Sequence, residues 1–381
     1  MADLLLAPYL AGADEVTVGD WQLLRFSKVE KSDAVPDALR PAVARLVEAY
    51  KIEDGAGLGV VIYPRDGAVG DEIDRASLRP LRRALLAGTV AGNPRMAVAE
   101  DEQDGNAGWG TVAAENALIW GHPNLDPRSY AIETGMLVRV TSLRHAEDDE
   151  PLPNVAPPVE LPKPMMAKFD AEIADATARL LAAGDAAARR LLLALDWYAV
   201  ALSNSEAVTV EVRIGAARSA LEVLTDAGDE SKKVVRAYGE LMREEETEVA
   251  TYTSDDVFWA RGDVQLTADA WWLTRLSQLR NTIVHGDELD EDLWHHDGHH
   301  HLNQIHDRLI AGLRVVVADG IGDAALRAPP GERVWIRAAE EARQHLARRA
   351  EDGEDGNESV EIEVHGEEVG DDDGEPRGAD D

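Results

Sequence analysis

The sequence predicts an N-terminal α+β domain, followed by an all-α helical bundle and a disordered acidic tail. Three observations predict this order: short β-rich runs in the first 150 residues, helical apolar stripes after residue 165, and fifteen Asp and Glu against a single Arg in 351–381. A chain of 381 residues, 45% of them hydrophobic, is long enough to bury a core in two domains. Wholesale disorder is therefore excluded.

Residues 1–150 alternate between strand and turn patterns, as in an α+β domain. The β-rich runs are Val16–Phe26, Gly59–Tyr63, Thr111–Trp120 and Tyr130–Val140. One helical stretch lies around Arg75–Ala87, and it carries the basic residues Arg75, Arg79, Arg82 and Arg83. At helical spacing this cluster suits a solvated face, with a phosphate contact as the alternative. The role of this domain is not indicated.

Two segments lack the signs of a folded core. Residues 151–165 are predicted to be a Pro-rich linker, because six of the 17 prolines fall there and each removes a backbone donor and fixes φ. Residues 351–381 carry a net charge of −14 and few large apolar side chains, too few to offset the entropy of ordering the chain. We expect this tail to be disordered.

Residues 166–325 show the apolar spacing of amphipathic helices. The stripes are Leu191, Leu195, Tyr198 and Leu202; Ile214, Ala217, Leu221 and Leu224; and Trp272, Leu276, Leu279 and Ile283. With helices at Met166–Ala183 and Leu302–Ala318, they predict a five-helix bundle around one core. Residues 326–350 hold a further helix with a thinner apolar face.

The composition excludes several classes of function. Without cysteine there are no disulfides, iron–sulfur clusters, thiolate zinc sites or cysteine nucleophiles. The N-terminus lacks the features of a signal peptide and no run of eighteen apolar residues predicts a membrane span, so we expect a cytoplasmic protein without a membrane partner. The formal charge of −35 repels nucleic acids at long range, and DNA is not expected as a partner.

Candidate functional residues stand at the end of the helix with the strongest stripe. Asn281 and His285 are four residues apart and share a helix face, while Gly286 suits the left-handed conformation that ends helices. There the helix dipole favours the imidazolium form of His285, and Arg280 presents a planar fork that matches phosphate oxygens. The simpler alternative is structural: Asn281 hydrogen-bonds His285, and Arg280 pairs with an acid.

The stretch Leu276–Gly286 resembles the HEPN superfamily, and more narrowly its Apea-like group of bacterial proteins. The hallmark of the superfamily is an Arg, a polar residue, a few more residues and a His near the end of a bundle helix. The preceding helices, with Ala220–Leu224 and Leu195–Tyr198, carry the rest of the resemblance, which covers roughly residues 165–325.

The resemblance implies a metal-independent endoribonuclease that acts on RNA, needs no cofactor and serves in defence or stress. By position, Arg280 would hold the scissile phosphate, His285 would act as general acid or base, and Asn281 would orient His285. Glu222 matches an acidic position and would position Arg280, although Arg218 offers it an ordinary intrahelical pair. Other members of the family are non-catalytic, so the alternative is a module for dimerisation or for binding RNA or another ligand.

The resemblance also implies a homodimer whose Arg and His residues face one composite site. The flank of the same helix beside the core stripe predicts where the two protomers meet: it contains Leu273, Ser277, Arg280 and Val284.

Three neighbouring groups bear on this hypothesis. Asp287, Glu288, Asp290, Glu291 and Asp292 would repel RNA phosphates within a Debye length of roughly 8 Å, unless their loop folds away. Six histidines between His295 and His306 have spacings that suit Zn²⁺ or Ni²⁺, but Asp297–Gly298 favours a turn and no physiological metal site is expected. Trp271 and Trp272 suit core packing better than base stacking.

Overall fold

A computed structural model describes most of the helical part of the chain and the strands of its N-terminal part. The described residues are 2–7, 10, 15–37, 39–41, 59–71, 73–92, 117–120, 131–134, 137–143, 169–201, 208–228, 230–242, 249–288, 290–296 and 299–351. They are mostly helical, and they divide into two compact units, Met1–Val334 and Trp335–Asp381. The predicted linker lies outside the described residues, as does the predicted tail apart from Glu351.

A seven-stranded antiparallel sheet is built from the N-terminal part of the chain. Its strands are β1 (Ala2–Ala7), β2 (Val16–Val18), β3 (Trp21–Arg25), β4 (Val60–Pro64), β5 (Ala117–Trp120), β6 (Ala131–Thr134) and β7 (Leu137–Leu143), in the order β2-β3-β4-β1-β7-β6-β5. Each of the four predicted β-rich runs overlaps one or two of these strands. The sequence missed the central strand β1, whose Leu5 pairs with Ile62 on one side and Arg139 on the other.

Eight α-helices follow or interrupt the sheet in the described residues. They are α1 (Arg75–Ala91), α2 (Ala171–Ala182), α3 (Ala186–Ala201), α4 (Val210–Thr225), α5 (Ser231–Leu241), α6 (Ala268–His285), α7 (His301–Ile321) and α8 (Pro330–Glu351). A hairpin of β8 (Val249–Tyr252) and β9 (Val264–Thr267) precedes α6, and a shorter one of β10 (His295–His296) and β11 (His299–His300) precedes α7. None of these helices is long and apolar enough to cross a membrane.

The predicted apolar stripes form the core of the bundle. Trp272, Leu276 and Leu279 of α6 are fully buried, as are Ile214, Ala217 and Leu221 of α4. Both helices begin at a threonine whose hydroxyl accepts a backbone N–H of the first turn: Thr209 from Val212 and Thr267 from Ala270. The helical-bundle prediction is confirmed at the level of helices and core.

Helix α1 packs against α2 of the bundle, whereas the sequence predicts separate domains on either side of residues 151–165. All residues from Ala84 to Ala91 are buried, and a helix buried on every side needs neighbours on every side. Its approach to α2 is so close that a Cβ on Gly88 would lie 2.6 Å from the Phe169 ring. The described sheet and bundle therefore belong to one compact unit.

A buried ion pair joins the start of α8 to the start of α2 and lies beside α1. Arg333, at the start of α8, donates to both carboxylate oxygens of Asp170 at 2.7 and 2.5 Å, and each side chain is 1% exposed. Asp170 also accepts the Ile173 N–H at the start of α2, and its own N–H donates to the Gly88 carbonyl of α1 at 2.9 Å. Arg314 of α7 donates to the Ala91 carbonyl at the end of α1.

Gly88→Ala is expected to destabilise the protein. The new methyl group would lie 2.7 Å from the Ala174 Cβ and 2.8 Å from the Asp170 carbonyl oxygen. Such overpacking costs about 1–3 kcal/mol, more than the roughly 1 kcal/mol that Ala gains over Gly inside a helix. Gly215→Ala in α4 is the matched control, since nothing lies within 4 Å of an added Cβ there, and it should stabilise. Urea unfolding measures both, and a Gly88→Ala protein as stable as the wild type contradicts the close α1–α2 packing.

Candidate functional site

The C-terminal turn of α6 lies at the surface and ends as the sequence predicts. Gly286 has φ 70°, its N–H donates to the Ile283 carbonyl, and the Asp287 N–H donates to the Thr282 carbonyl at 3.1 Å. This pair of bonds is a Schellman motif. His285 is exposed in the last turn of the helix.

Arg280 is partly exposed one turn before this end. Its NH1 group donates to the side-chain oxygen of Asn281 at 3.2 Å, and in the described part of the chain no carboxylate lies within ion-pair distance of it. The expected pairing of Arg280 with an acid is therefore absent there. Among the described residues no hydrogen bond joins Asn281 to His285 either, and the Asn281 side-chain oxygen accepts from Arg280.

A buried polar network of Arg218, Glu222 and Ser277 joins α4 to α6 beside Arg280. Arg218 is 2% exposed, its Nε donates to Ser277 Oγ at 2.7 Å, and its NH1 lies 2.9 Å from Glu222 Oε1. Burial lowers the pKa of Arg218 to about 10; Glu222 opposes this, and the positive charge of Arg280 adds to it. The two guanidinium groups are therefore close enough to repel each other.

The helices α4 and α6 run antiparallel, as contacts with α7 indicate. A Cβ on Gly312 of α7 would meet Leu224 at the end of α4, whereas Arg308, one turn earlier in α7, pairs with Asp269 at the start of α6. Since Arg218 lies opposite Ser277, the exposed end of α6 lies level with the first turns of α4.

Glu222 pairs with Arg218, and among the described residues no ion pair joins it to Arg280. The structure therefore contains the intrahelical i, i+4 pair of Arg218 and Glu222, which the sequence offered as the alternative. Sequence reasoning missed Arg218 and Ser277 as neighbours of Arg280. One signal was present: Arg218 stands beside Ala217 and Leu221 of the apolar stripe, where a charged side chain needs a buried partner.

The flank of α6 that predicts the homodimer is largely internal. Leu273 is 0% and Ser277 is 1% exposed, because α4 covers them, while Val284 is 60% exposed. The prediction that Leu273 and Ser277 lie at the dimer interface is therefore wrong. Only the end of this flank, at Arg280 and Val284, reaches the surface.

The acidic segment after His285 divides into two parts. Asp287 and Glu288 are exposed directly beside the helix end. Asp292 lies back along α6, where its carbonyl accepts from Arg275 at 3.2 Å. Arg275 is ten residues before His285, about 15 Å along the helix. The far half of the cluster is therefore held away from His285, and the near half is not.

The histidine segment packs its described rings against the core. His296 and His301 are 6% and 0% exposed, with their ring centroids 6.2 Å apart and His301 beside Trp272. Among the described residues, no group of three or more His, Cys, Asp or Glu is arranged to hold a metal ion. Trp272 is fully buried, as predicted, and Trp271 stacks on Tyr252 with centroids 4.3 Å apart.

The basic cluster of α1 is engaged with α3. Arg79 and Arg83 both donate to the carboxylate of Asp196, Arg83 Nε at 2.6 Å. This arrangement joins the two helices and occupies these two arginines, which disfavours the phosphate-contact alternative. Burial alone would raise the pKa of Asp196, but the hydrogen bonds from Arg79 and Arg83 outweigh it and hold that pKa below its ordinary value.

Asp196→Asn should make the protein less dependent on pH in acid. A carboxyl whose native pKa is lowered stabilises the fold above its unfolded pKa, and this contribution is lost as pH falls through the native value. The variant should therefore melt below the wild type at neutral pH, and the gap should close in acid. Thermal melts from pH 7 to pH 2 measure this, with the exposed Asp263→Asn as control. A gap that stays constant over this range contradicts the pairing.

A cleft of about 890 Å³ lies away from these residues. The turn between β2 and β3 forms one wall, and α1 and α2 form the others. Its charged groups are partly matched, since Asp175 accepts from the Gly19 N–H at 2.9 Å and from Arg179 at 3.0 Å. It contains none of the candidate residues of α4 or α6.

Comparison with known proteins adds no assignment: no family model, no curated protein and no solved structure matches this chain. The candidate site is the exposed end of α6, with Arg280, Asn281 and His285, and the network of Arg218 and Glu222 behind it.

Proposed function

We propose that this protein is a metal-independent endoribonuclease of the HEPN type, acting in the cytoplasm as a defence or stress effector. One observation carries the proposal. Arg280 is partly exposed without a carboxylate partner in the described residues, and His285, five residues later, is exposed on the last turn of the same helix. A guanidinium without an acid and an imidazole at the same exposed helix end suit an external anion that also needs a proton.

The two side chains divide the chemistry of phosphodiester cleavage between them. Arg280 contacts the scissile phosphate and stabilises the charge that develops on its oxygens. The 2′-oxygen of the substrate attacks phosphorus and the bond from phosphorus to the 5′-oxygen breaks. His285 in its protonated form gives its proton to that leaving oxygen, and a base, His285 of the second protomer in a composite site, takes the 2′-hydroxyl proton.

The alternative is a non-catalytic module for dimerisation or for binding RNA or another ligand. Two observations favour it. Asp287 and Glu288 are exposed directly after His285, and Asn281 turns its side-chain oxygen to Arg280 in place of His285. A site of that kind would bind an anion without transferring a proton to it.

Alanine at Arg280 or His285 should lower RNA cleavage about 10²-fold or more, the usual scale for losing one such group. Total RNA incubated with protein in EDTA, with product sizes followed over time, measures this. His345→Ala and Arg261→Ala, both exposed, are the matched controls. The fold should survive, because the buried residues Trp272, Leu276 and Leu279 are untouched.

Arg280→Lys should restore only part of the activity, since Lys keeps the charge but loses the planar fork. Cleavage by both Ala variants at the wild-type rate would assign the activity to a contaminant and favour the binding module. Unfolded Ala variants would make Arg280 and His285 structural.

A homodimer is expected, with the exposed end of α6 near its centre. Val284→Asp should weaken it, because a carboxylate would replace an apolar side chain that is 60% exposed in the single chain. Light scattering at tens of micromolar measures the mass of both proteins. A monomeric wild type would remove the dimer, and with it the composite site.

A further inference from the structure

A buried arginine stands directly behind the candidate site. Arg218 is 2% exposed, whereas Arg280 reaches the surface. A buried charge is costly unless it is paired, and Arg218 has both an ion pair to Glu222 and a hydrogen bond to Ser277. Arg218 therefore engages one group on each helix, Glu222 of α4 and Ser277 of α6.

These are the acceptors that Arg280 would otherwise reach. Long side chains on a helix lean toward its N-terminus, over the residue one turn earlier. For Arg280 that residue is Ser277, three positions before it, and Ser277 Oγ lies 2.7 Å from Arg218 Nε. Glu222 lies on the other side of the same guanidinium, at 2.9 Å.

The electrostatic interactions favour the same position of Arg280 as the geometry does. The positive charges of Arg218 and Arg280 repel each other. With Arg218 in place, Arg280 gains nothing by folding inward. Arg280 is partly exposed, so an anion can meet it.

We propose that Arg218 is a positioning residue that occupies Glu222 and Ser277, and so keeps the guanidinium of Arg280 at the surface and available to an RNA phosphate. The catalytic consequence rests on the proposed endoribonuclease function. The consequence for the position and pairing of Arg280 does not.

The test compares a variant that should lose RNA affinity with a second variant that should restore it. Arg218→Met removes the guanidinium and releases Glu222 to pair with Arg280, so affinity for a 2′-O-methyl RNA 12-mer, which cannot be cleaved, should fall about 10-fold. The slope of log affinity against log salt should shrink by about one phosphate contact. Arg218→Met/Glu222→Met also removes the carboxylate that would pair with Arg280, so RNA affinity should return to within about two-fold of the wild type.

Folding is controlled within the same experiment. Replacing both partners of a buried ion pair by apolar groups is often neutral, so the double variant should melt above Arg218→Met. Arg308→Met is the matched control: it breaks the pair with Asp269 at the opposite end of α6 and should lower the melting temperature without changing RNA affinity.

Each outcome either supports or overturns the positioning role of Arg218. Wild-type affinity in Arg218→Met, or a loss that the double variant does not repair, overturns the positioning role. If the wild type binds this RNA but never cleaves RNA, the proposed function fails while the binding pattern still decides the role of Arg218. If the wild type binds no RNA, the ¹⁵N resonance of Arg280 Nε decides: a shift in Arg218→Met that the double variant reverses supports the role, and an unchanged resonance overturns it.

Discussion

The ion pair between Asp170 and Arg333 is the constraint on which the arrangement of the helices depends. It is inaccessible to solvent and fully hydrogen-bonded, and Asp170 also receives the first turn of α2 while its N–H reaches Gly88 of α1. Loss of either partner would leave a buried charge, at a cost of about 3–5 kcal/mol. The pair therefore sets where α1 meets α2 of the bundle. The sheet meets the same helix α2, because the Gly19 N–H between β2 and β3 donates to Asp175.

A second buried charge, Arg218, differs from this pair because another arginine, Arg280, is its neighbour. Asp170 and Arg333 neutralise each other, whereas Glu222 pairs with Arg218 and, among the described residues, forms no ion pair with the neighbouring Arg280. Arg280 is partly exposed near the end of α6 that is open to solvent. Helix α6 thus has two roles: its apolar stripe fixes the core, and its last turn presents Arg280 and His285 at the surface.

The parts of this fold that local patterns control could be predicted from the sequence. The apolar spacing of α4 and α6 and the helix stop at Gly286 depend on residues within a few turns, and the structure contains both. Strand β1 has an apolar run without alternation. Such a run is typical of a strand that is buried on both faces, but its periodicity does not distinguish it from a buried helix segment. The contact of Arg218 with Ser277 joins residues 59 positions apart, and no local spacing indicates it.

The most direct test of the central claim, that Arg280 and His285 cleave RNA through the 2′-hydroxyl, is the chemistry of the product ends. A defined oligoribonucleotide would be incubated in EDTA with the wild type and with His285→Ala, and the fragments would be analysed by mass spectrometry. Attack by the 2′-oxygen leaves a 2′,3′-cyclic phosphate on one fragment and a 5′-hydroxyl on the other, and we expect these ends from the wild type alone. Fragments with 3′-hydroxyl and 5′-phosphate ends, or identical products from both proteins, would contradict the account.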